Sequence, residues 1–291
     1  MDLAYFRAHP EHIPAFLLHQ RVRETPVSGG SICSAQRLTL DDGASVFAKS
    51  LRHAPAGFFA AEAAGLRWLR QAEAVAVPDV IACLPELLVL EWVSSTRPTV
   101  RAAERFGREL AALHQAGATT FGASWPGFLG SLPMDNTPPD GPWPAWFAEY
   151  RIEPYLRRSA DNGALGPDDV DRVRQVLERI DVLAGPAGAE PPARIHGDLW
   201  PGNLLWAADR VWAIDPAAHG GHRETDLAFL DLFGGAPHLT RIIDAYNEAF
   251  PLADGWRQRV PLHQLSLLLV HTALFGATYR SAVVGATQFL R

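Results

Sequence analysis

Alternation of apolar and polar positions dominates the first ninety residues. Ala35–Leu40 and Val46–Ser50 read as two short strands, and Asp41-Asp42-Gly43 between them reads as a hairpin turn. A helix rich in Ala, Leu and Arg is expected from Phe58 to Gln71. Val75–Ile81 and Glu86–Val93 then read as two further strands.

Beyond Val93 the pattern changes. Ser94-Ser95-Thr96-Arg97-Pro98 is a polar connector, and helical spacing follows at Ala102–Gln115, Trp143–Ser159 and Val170–Ala184. In the last of these, Val170, Val173, Val176, Leu177 and Ile180 fall on one face. Asp135–Pro144 and Ala184–Pro192 are rich in Pro and Gly and read as loops. Further helices close the chain, ending in Leu262–Val284. A small strand-rich lobe and a larger helical lobe, joined near residue 93, are the simplest partition.

Composition narrows the class. The chain has 291 residues, 48% of them hydrophobic, with mean hydropathy −0.02, which describes a folded globular protein with a sizeable core. A net charge of −6 and a pI near 6.0 argue against nucleic acid as the main partner. The longest apolar run, Leu265–Phe275, contains His271 and is too short for a membrane span, so it reads as a buried helix. The N-terminus lacks the basic start and apolar run of a signal peptide. With only Cys33 and Cys83 there is no disulfide framework, and a cytoplasmic location is expected.

Of 26 basic residues only Lys49 is a lysine. A position that stays lysine in so arginine-biased a chain is a candidate for chemistry that a guanidinium cannot perform. Glu62 lies on the Phe58–Leu66–Leu69 face of its helix, where a carboxylate is costly unless paired. An ammonium held by such a glutamate is a known device for positioning nucleotide phosphates, and a structural ion pair is the plainer alternative. Upstream, Val27-Ser28-Gly29-Gly30-Ser31-Ile32-Cys33 could bring backbone amides to phosphate oxygens, or could simply turn the chain.

The densest chemistry is His196-Gly197-Asp198-Leu199-Trp200-Pro201-Gly202-Asn203, followed by Ala213-Ile214-Asp215-Pro216. Asp198 and Asn203 fit the spacing H-x-D-x-x-x-x-N of a phosphoryl-transfer loop. There the aspartate takes or orients the proton of an attacking hydroxyl. The asparagine and a later aspartate, here Asp215 after the short strand Val211–Ile214, supply hard oxygens suited to Mg2+. His196 reads as a brace for the loop backbone, Asp226 as a tie for the same loop, and His114 as a helix-end residue.

These motifs, with Gly221-His222-Arg223-Glu224-Thr225-Asp226-Leu227-Ala228, resemble the fructosamine/ketosamine kinase family. That family is a branch of the aminoglycoside-phosphotransferase and choline-kinase group. Phe128–Asn136, the Trp143, Trp146 and Phe147 set, Leu232-Phe233-Gly234-Gly235 and the tail from Leu262 to Arg280 are also similar. The resemblance implies an α+β, bilobal, protein-kinase-like fold. Residues 1–93 would form an ATP-binding lobe with an antiparallel sheet and one helix, and 94–291 a mostly helical catalytic lobe.

It also implies ATP between the lobes, with adenine bonded near Glu91-Trp92-Val93 and phosphates held by Gly29, Gly30, Ser31, Ile32 and Lys49. Asp198 would be the base, Asn203 and Asp215 the Mg2+ ligands, and Trp200 an apolar wall for the substrate. The acceptor would be the 3-hydroxyl of a ketosamine, free or on a glycated protein, with deglycation as the outcome. The sequence departs from the family at Pro201, at Ala218-His219 and in its lean glycine loop; Pro201 and His219 are expected near the acceptor pocket. No nucleic acid or membrane is expected as partner, and a monomer or weak dimer is. A small-molecule kinase of the aminoglycoside, choline or sugar type is the alternative activity, and a nucleotide-binding pseudokinase the alternative class.

Overall fold

The computed structural model describes residues 2–18, 23–27, 32–139 and 141–290. The N-terminal part is built on a five-stranded antiparallel sheet in the order β1-β2-β3-β5-β4. Its strands are β1 (Arg23–Pro26), β2 (Ser34–Thr39), β3 (Ser45–Ser50), β4 (Val80–Leu84) and β5 (Leu87–Glu91). The turn between β2 and β3 forms where Asp41-Asp42-Gly43 stands. Gly43 takes φ +83°, its amide donates to the Leu40 carbonyl at 3.0 Å, and the Asp42 carboxylate accepts from the Ala44 amide at 2.9 Å.

Period-two alternation sends the two faces of the sheet to different partners. Val46, Ala48, Leu87 and Val89 point outward and are buried with Phe6 and Ile13. Those two residues come from the short helices α1 (Leu3–Ala8) and α2 (Ile13–Leu18), which the hydrophobic pattern does not single out. Leu88 and Leu90 point inward against α3 (Phe58–Arg70).

The Val75–Ile81 run is not one strand: β4 begins only at Val80. Val75, Ala76 and Val77 are buried, but against the second lobe. The Ala213 amide donates to the Ala76 carbonyl at 2.9 Å, and Pro78, which has no amide to donate, separates this contact from the sheet.

From Trp92 to Thr99 the chain has no regular element. Thr99 then caps α4 (Val100–Gln115) by accepting from the Ala102 amide at 3.2 Å. The remaining strands form three short pairs: β6 (Gly127–Leu129) with β7 (Leu132–Met134), β8 (Ala193–Ile195) with β11 (His219–Gly221), and β9 (Leu204–Ala207) with β10 (Arg210–Ala213). Helices α5 (Trp143–Phe147), α6 (Glu153–Asp161), α7 (Pro167–Leu177), α8 (Ile180–Ala184), α9 (Glu224–Phe229), α10 (Leu239–Ala249), α11 (Trp256–Phe275) and α12 (Arg280–Phe289) complete the lobe.

Two expected helices are interrupted. The Trp143–Ser159 pattern widens into a π turn at Ala148–Ile152. Pro154 cannot donate to the Tyr150 carbonyl four residues earlier; Arg151 Nη1 donates to it instead, at 3.2 Å. The Val170–Ala184 pattern breaks at Arg179, whose ψ of 12° leaves the helical region and turns Ile180 and Ala184 into the core. Helix α11 buries Leu262, Leu265 and Leu267–Val270, and Gly276 at φ +74° ends it. The span Trp256–Phe289 is long and apolar enough to cross a membrane by composition, but here it is two helices, with Arg259 and His263 buried in the first.

The lobes share a core. Phe59, Leu66, Leu88 and Leu90 of the first lobe cluster with Phe106, Leu110, Leu199, Val211 and Ile242 of the second. A separate cluster packs α5, α6, α9 and α11 together.

Several histidines are buried in the second lobe. Burial pushes His219 down to about 3 and His222 down to about 4 from the ordinary 6.5, and lowers His196 as well. On unfolding, each takes up a proton that the native state refuses. The folded protein is therefore expected to lose stability as pH falls below 6.5, by up to about 1.4 kcal/mol per pH unit for each such histidine. Urea midpoints measured between pH 7.5 and 5 test this; an unchanged midpoint over that range would contradict it.

Candidate active site

Lys49 is the next-to-last residue of β3, on the face that meets α3. Its Nζ lies 2.6 Å from Glu62 Oε2 and 2.9 Å from Asp215 Oδ1, so one buried ammonium joins a strand, a helix and the loop after β10. Burial opposes the charge, but Asp215 and then Glu62 outweigh it and hold Lys49 protonated, above the ordinary lysine range. Glu62 moves up, because burial penalises its carboxylate more than Lys49 relieves it. Its other oxygen, Oε1, is buried without a partner among the described residues.

The loop Ile195–Asn203 is held from behind. Asp226, fully buried on α9, accepts from the His196 amide at 2.7 Å and the Gly197 amide at 2.9 Å. His114 reaches the same carboxylate through Nε2 at 3.2 Å and the Tyr246 hydroxyl through Nδ1 at 2.9 Å. It stands in the last turn of α4, as its position suggests, and is also a buried link in this clamp. His196 Nε2 lies 3.0 Å from the Ile214 carbonyl, which ties the loop to the segment carrying Asp215.

Gly197 takes φ +79°, and a Cβ there would meet the Ala217 carbonyl and the His219 ring, so this turn needs glycine. Asp215 also has positive φ, +55°, a conformation that aspartate tolerates better than most residues and that recurs where backbones serve function.

Asn203 sits in a short 3₁₀ turn, Pro201–Asn203. Its Nδ2 donates to the Asp198 carbonyl at 2.8 Å and to Asp198 Oδ2 at 3.0 Å, which leaves its amide oxygen for another partner. Asp198 Oδ1 is buried and has no partner among the described residues. Burial, then the nearby Asp215 charge, raise Asp198 well above the ordinary carboxylate range. Such an oxygen gains from accepting a donor hydroxyl. Pro201 opens the 3₁₀ turn, where a missing amide costs nothing.

His219 is 4% exposed, and its Nδ1 is 2.7 Å from the Ala217 carbonyl. It braces the segment that follows Asp215.

Trp200, two residues after Asp198 in the chain, is half-buried and meets the ring of Phe233 edge-on, 5.7 Å between centroids. Phe233 has φ +54°, is 41% exposed, and contacts His271 and Tyr279 at 4.7 and 5.8 Å. The Leu232-Phe233-Gly234-Gly235 string gives the sequence signal for this wall, but its role emerges only when the loop and α11 meet.

Glu91, Trp92 and Val93 close β5 and open the connector. Val46 pairs with Glu91, and Lys49 lies three residues further along β3, about 10 Å away at strand spacing. The Arg37 guanidinium stacks on Trp92 at 4.8 Å. Ile32 is half-buried against the shared core, two residues before β2. Gly29, Gly30 and Ser31 lie outside the described residues.

A second cluster, His222, Glu224 and His263, is wholly buried. Arg259 grips Glu224 with bonds of 2.8 and 2.6 Å, and both ring nitrogens of His222 already have backbone partners. It is a packing network.

Comparison with known proteins identifies the family. The sequence model of the family described as Fructosamine kinase matches residues 15–290. A probable ketoamine kinase of Thermus thermophilus is 34% identical over 259 residues, covering 89% of this chain and 90% of its own. The crystal structure of a candidate fructosamine-3-kinase from Thermobifida fusca superposes with TM-score 0.86 at 54% identity, covering 92% of each chain. The structure of a gentamicin–APH(2")-IIa complex, at 12% identity and TM-score 0.62, shares the fold alone. The chain belongs to the fructosamine kinase family and is an ATP-using phosphotransferase with an alcohol group as acceptor.

Proposed function

We propose that this protein transfers the γ-phosphoryl group of ATP to the 3-hydroxyl of a ketosamine, carried by a small amine or a glycated protein, and that the unstable product releases the amine. The observation that carries the reading is Asp198 Oδ1, buried and unpartnered among the described residues, two positions before Trp200, whose ring meets Phe233. In this reading the hydroxyl donates to Asp198 while its oxygen attacks the γ-phosphorus. The bond to ADP breaks, and the proton passes to the carboxylate. Residues 1–93 serve as the ATP-binding lobe and 94–291 as the catalytic lobe, with adenine at Glu91–Val93 and phosphates toward Lys49. The spacing of about 10 Å between those points along the strands suits a nucleotide.

The donors present fit Mg2+: the Asn203 amide oxygen is not used by its hydrogen bonds to Asp198, and Asp215, 47% exposed at its side chain, has only Oδ1 engaged by Lys49. When bound, the ion would neutralise charge on the transferring phosphates. The aromatic wall gives an ammonium or apolar substituent of the substrate a surface to rest on.

Three measurements test the reading. In a turnover panel, fructosamines and ribulosamines are expected to outrun aminoglycosides, choline and free sugars; preference for any of the latter group would overturn the substrate class. Asp198→Asn is expected to lower kcat by on the order of 10²–10⁴-fold with ATP affinity little changed, and retained turnover would remove Asp198 as the base. Lys49→Arg places a planar fork where a compact ammonium fits between Glu62 and Asp215, and kcat/KM for ATP is expected to fall on the order of a hundredfold. Near-normal kinetics in that variant would make the lone lysine incidental.

A further inference from the structure

The hairpin of β6 and β7 stands between the two hydrophobic clusters. Its alternation feeds both: Phe128 packs into the shared core, while Leu129, Leu132 and Met134 pack into the cluster of α5, α6 and α11. Phe128 meets Phe58, the first residue of α3, edge-on at 5.2 Å. The base is rigid. Asn136 donates to the Trp125 carbonyl at 3.1 Å, closing the hairpin. Arg151, buried without a carboxylate partner among the described residues, donates to the Asp135 carbonyl at 2.6 Å and Asn136 Oδ1 at 2.7 Å, and stacks on Trp146 at 4.3 Å.

The tip is tight. Gly130 has φ +58°, and a Cβ there would lie 2.8 Å from Leu274 Cδ1 and 3.0 Å from Ile32 Cδ1. The hairpin thus touches two places that are far apart in sequence. Ile32 directly follows the glycine-containing segment, and Leu274 is on α11 between His271 and Phe275, which stack toward Tyr279 and Phe233.

We propose that this hairpin couples the nucleotide site to the acceptor wall, with Gly130 and Leu274 as positioning residues. The inference rests on the nucleotide and acceptor placement given under Proposed function. A strap packed between two elements passes a shift of one to the other, because packed contacts do not stretch. Nucleotide that draws the Ile32 segment inward shifts the hairpin tip against Leu274. The end of α11 then settles into the arrangement in which His271 and Phe233 back Trp200. Acceptor binding works back along the same path with equal coupling.

Amide hydrogen exchange on the full-length chain, with and without AMP-PNP and Mg2+, tests this. In the wild type, nucleotide is expected to slow exchange at Glu91–Ser94, which reports binding. It is also expected to slow exchange at Leu268–Tyr279 by on the order of fivefold, which reports coupling. Leu274→Ala, which opens the contact, and Gly130→Ala, which overfills it, are each expected to keep the first effect and lose the second. Protection of Leu268–Tyr279 equal to wild type in both variants would overturn the coupling, as would wild-type protection confined to Glu91–Ser94. Absence of protection at Glu91–Ser94 in the wild type would instead overturn the nucleotide placement, and the coupling with it.

Discussion

One ammonium holds the architecture of the site in register. Lys49 is buried between carboxylates that come from a helix of the first lobe and a loop of the second, 2.6 and 2.9 Å away. A charge so placed is tolerable only while both partners stay where they are. The fold meets that requirement by fastening α3 to the second lobe at several points. Gly65 brings the helix so close to the segment after Asp215 that a Cβ would stand 3.1 Å from the Ala218 methyl. At the far end, Arg194 donates to the Trp68 carbonyl at 2.6 Å and stacks on the Trp68 ring at 4.5 Å. Arg210 donates to the Ala74 carbonyl at 3.0 Å just beyond. The helix bearing Glu62 is therefore part of the shared core.

A second constraint supports the first. Asp226 accepts from two consecutive loop amides and from His114, and His196 reaches across to the Ile214 carbonyl. Burial would raise this carboxyl, but its bond to His114 and the neighbouring His196 lower it, so it stays ionised and keeps accepting. The loop bearing Asp198 and Asn203 and the turn bearing Asp215 are thus positioned by one buried carboxylate and two buried histidines. The positive φ of Asp215 persists because the surroundings determine it.

The grouping of Lys49, Glu62, Asp198, Asn203 and Asp215 was legible in the chain because these residues lie in short strings and in one costly burial. Asp198, Asn203 and Asp215 stand within eighteen positions, and Glu62 announced a partner by standing on an apolar face. The sheet was legible from alternation. What escaped was tertiary. The Val75–Val77 run is apolar because it packs on β10, and an apolar run alone does not say whether it faces a sheet or another lobe. The aromatic wall joins Trp200, Phe233 and His271, and the hairpin tip joins Ile32, Gly130 and Leu274; neither set shares a period or motif. The contact of His219 Nδ1 with the Ala217 carbonyl likewise has no signature in the chain.

The central claim is that this constellation delivers a phosphoryl group to one hydroxyl of one kind of substrate. Phosphorus NMR of a reaction containing ATP, Mg2+ and a fructosamine tests it most directly. The account predicts a new phosphomonoester resonance, coupled to the proton on sugar carbon 3 and growing in step with ADP. A phosphomonoester at another carbon, or ADP formed with inorganic phosphate alone from the outset, would contradict it.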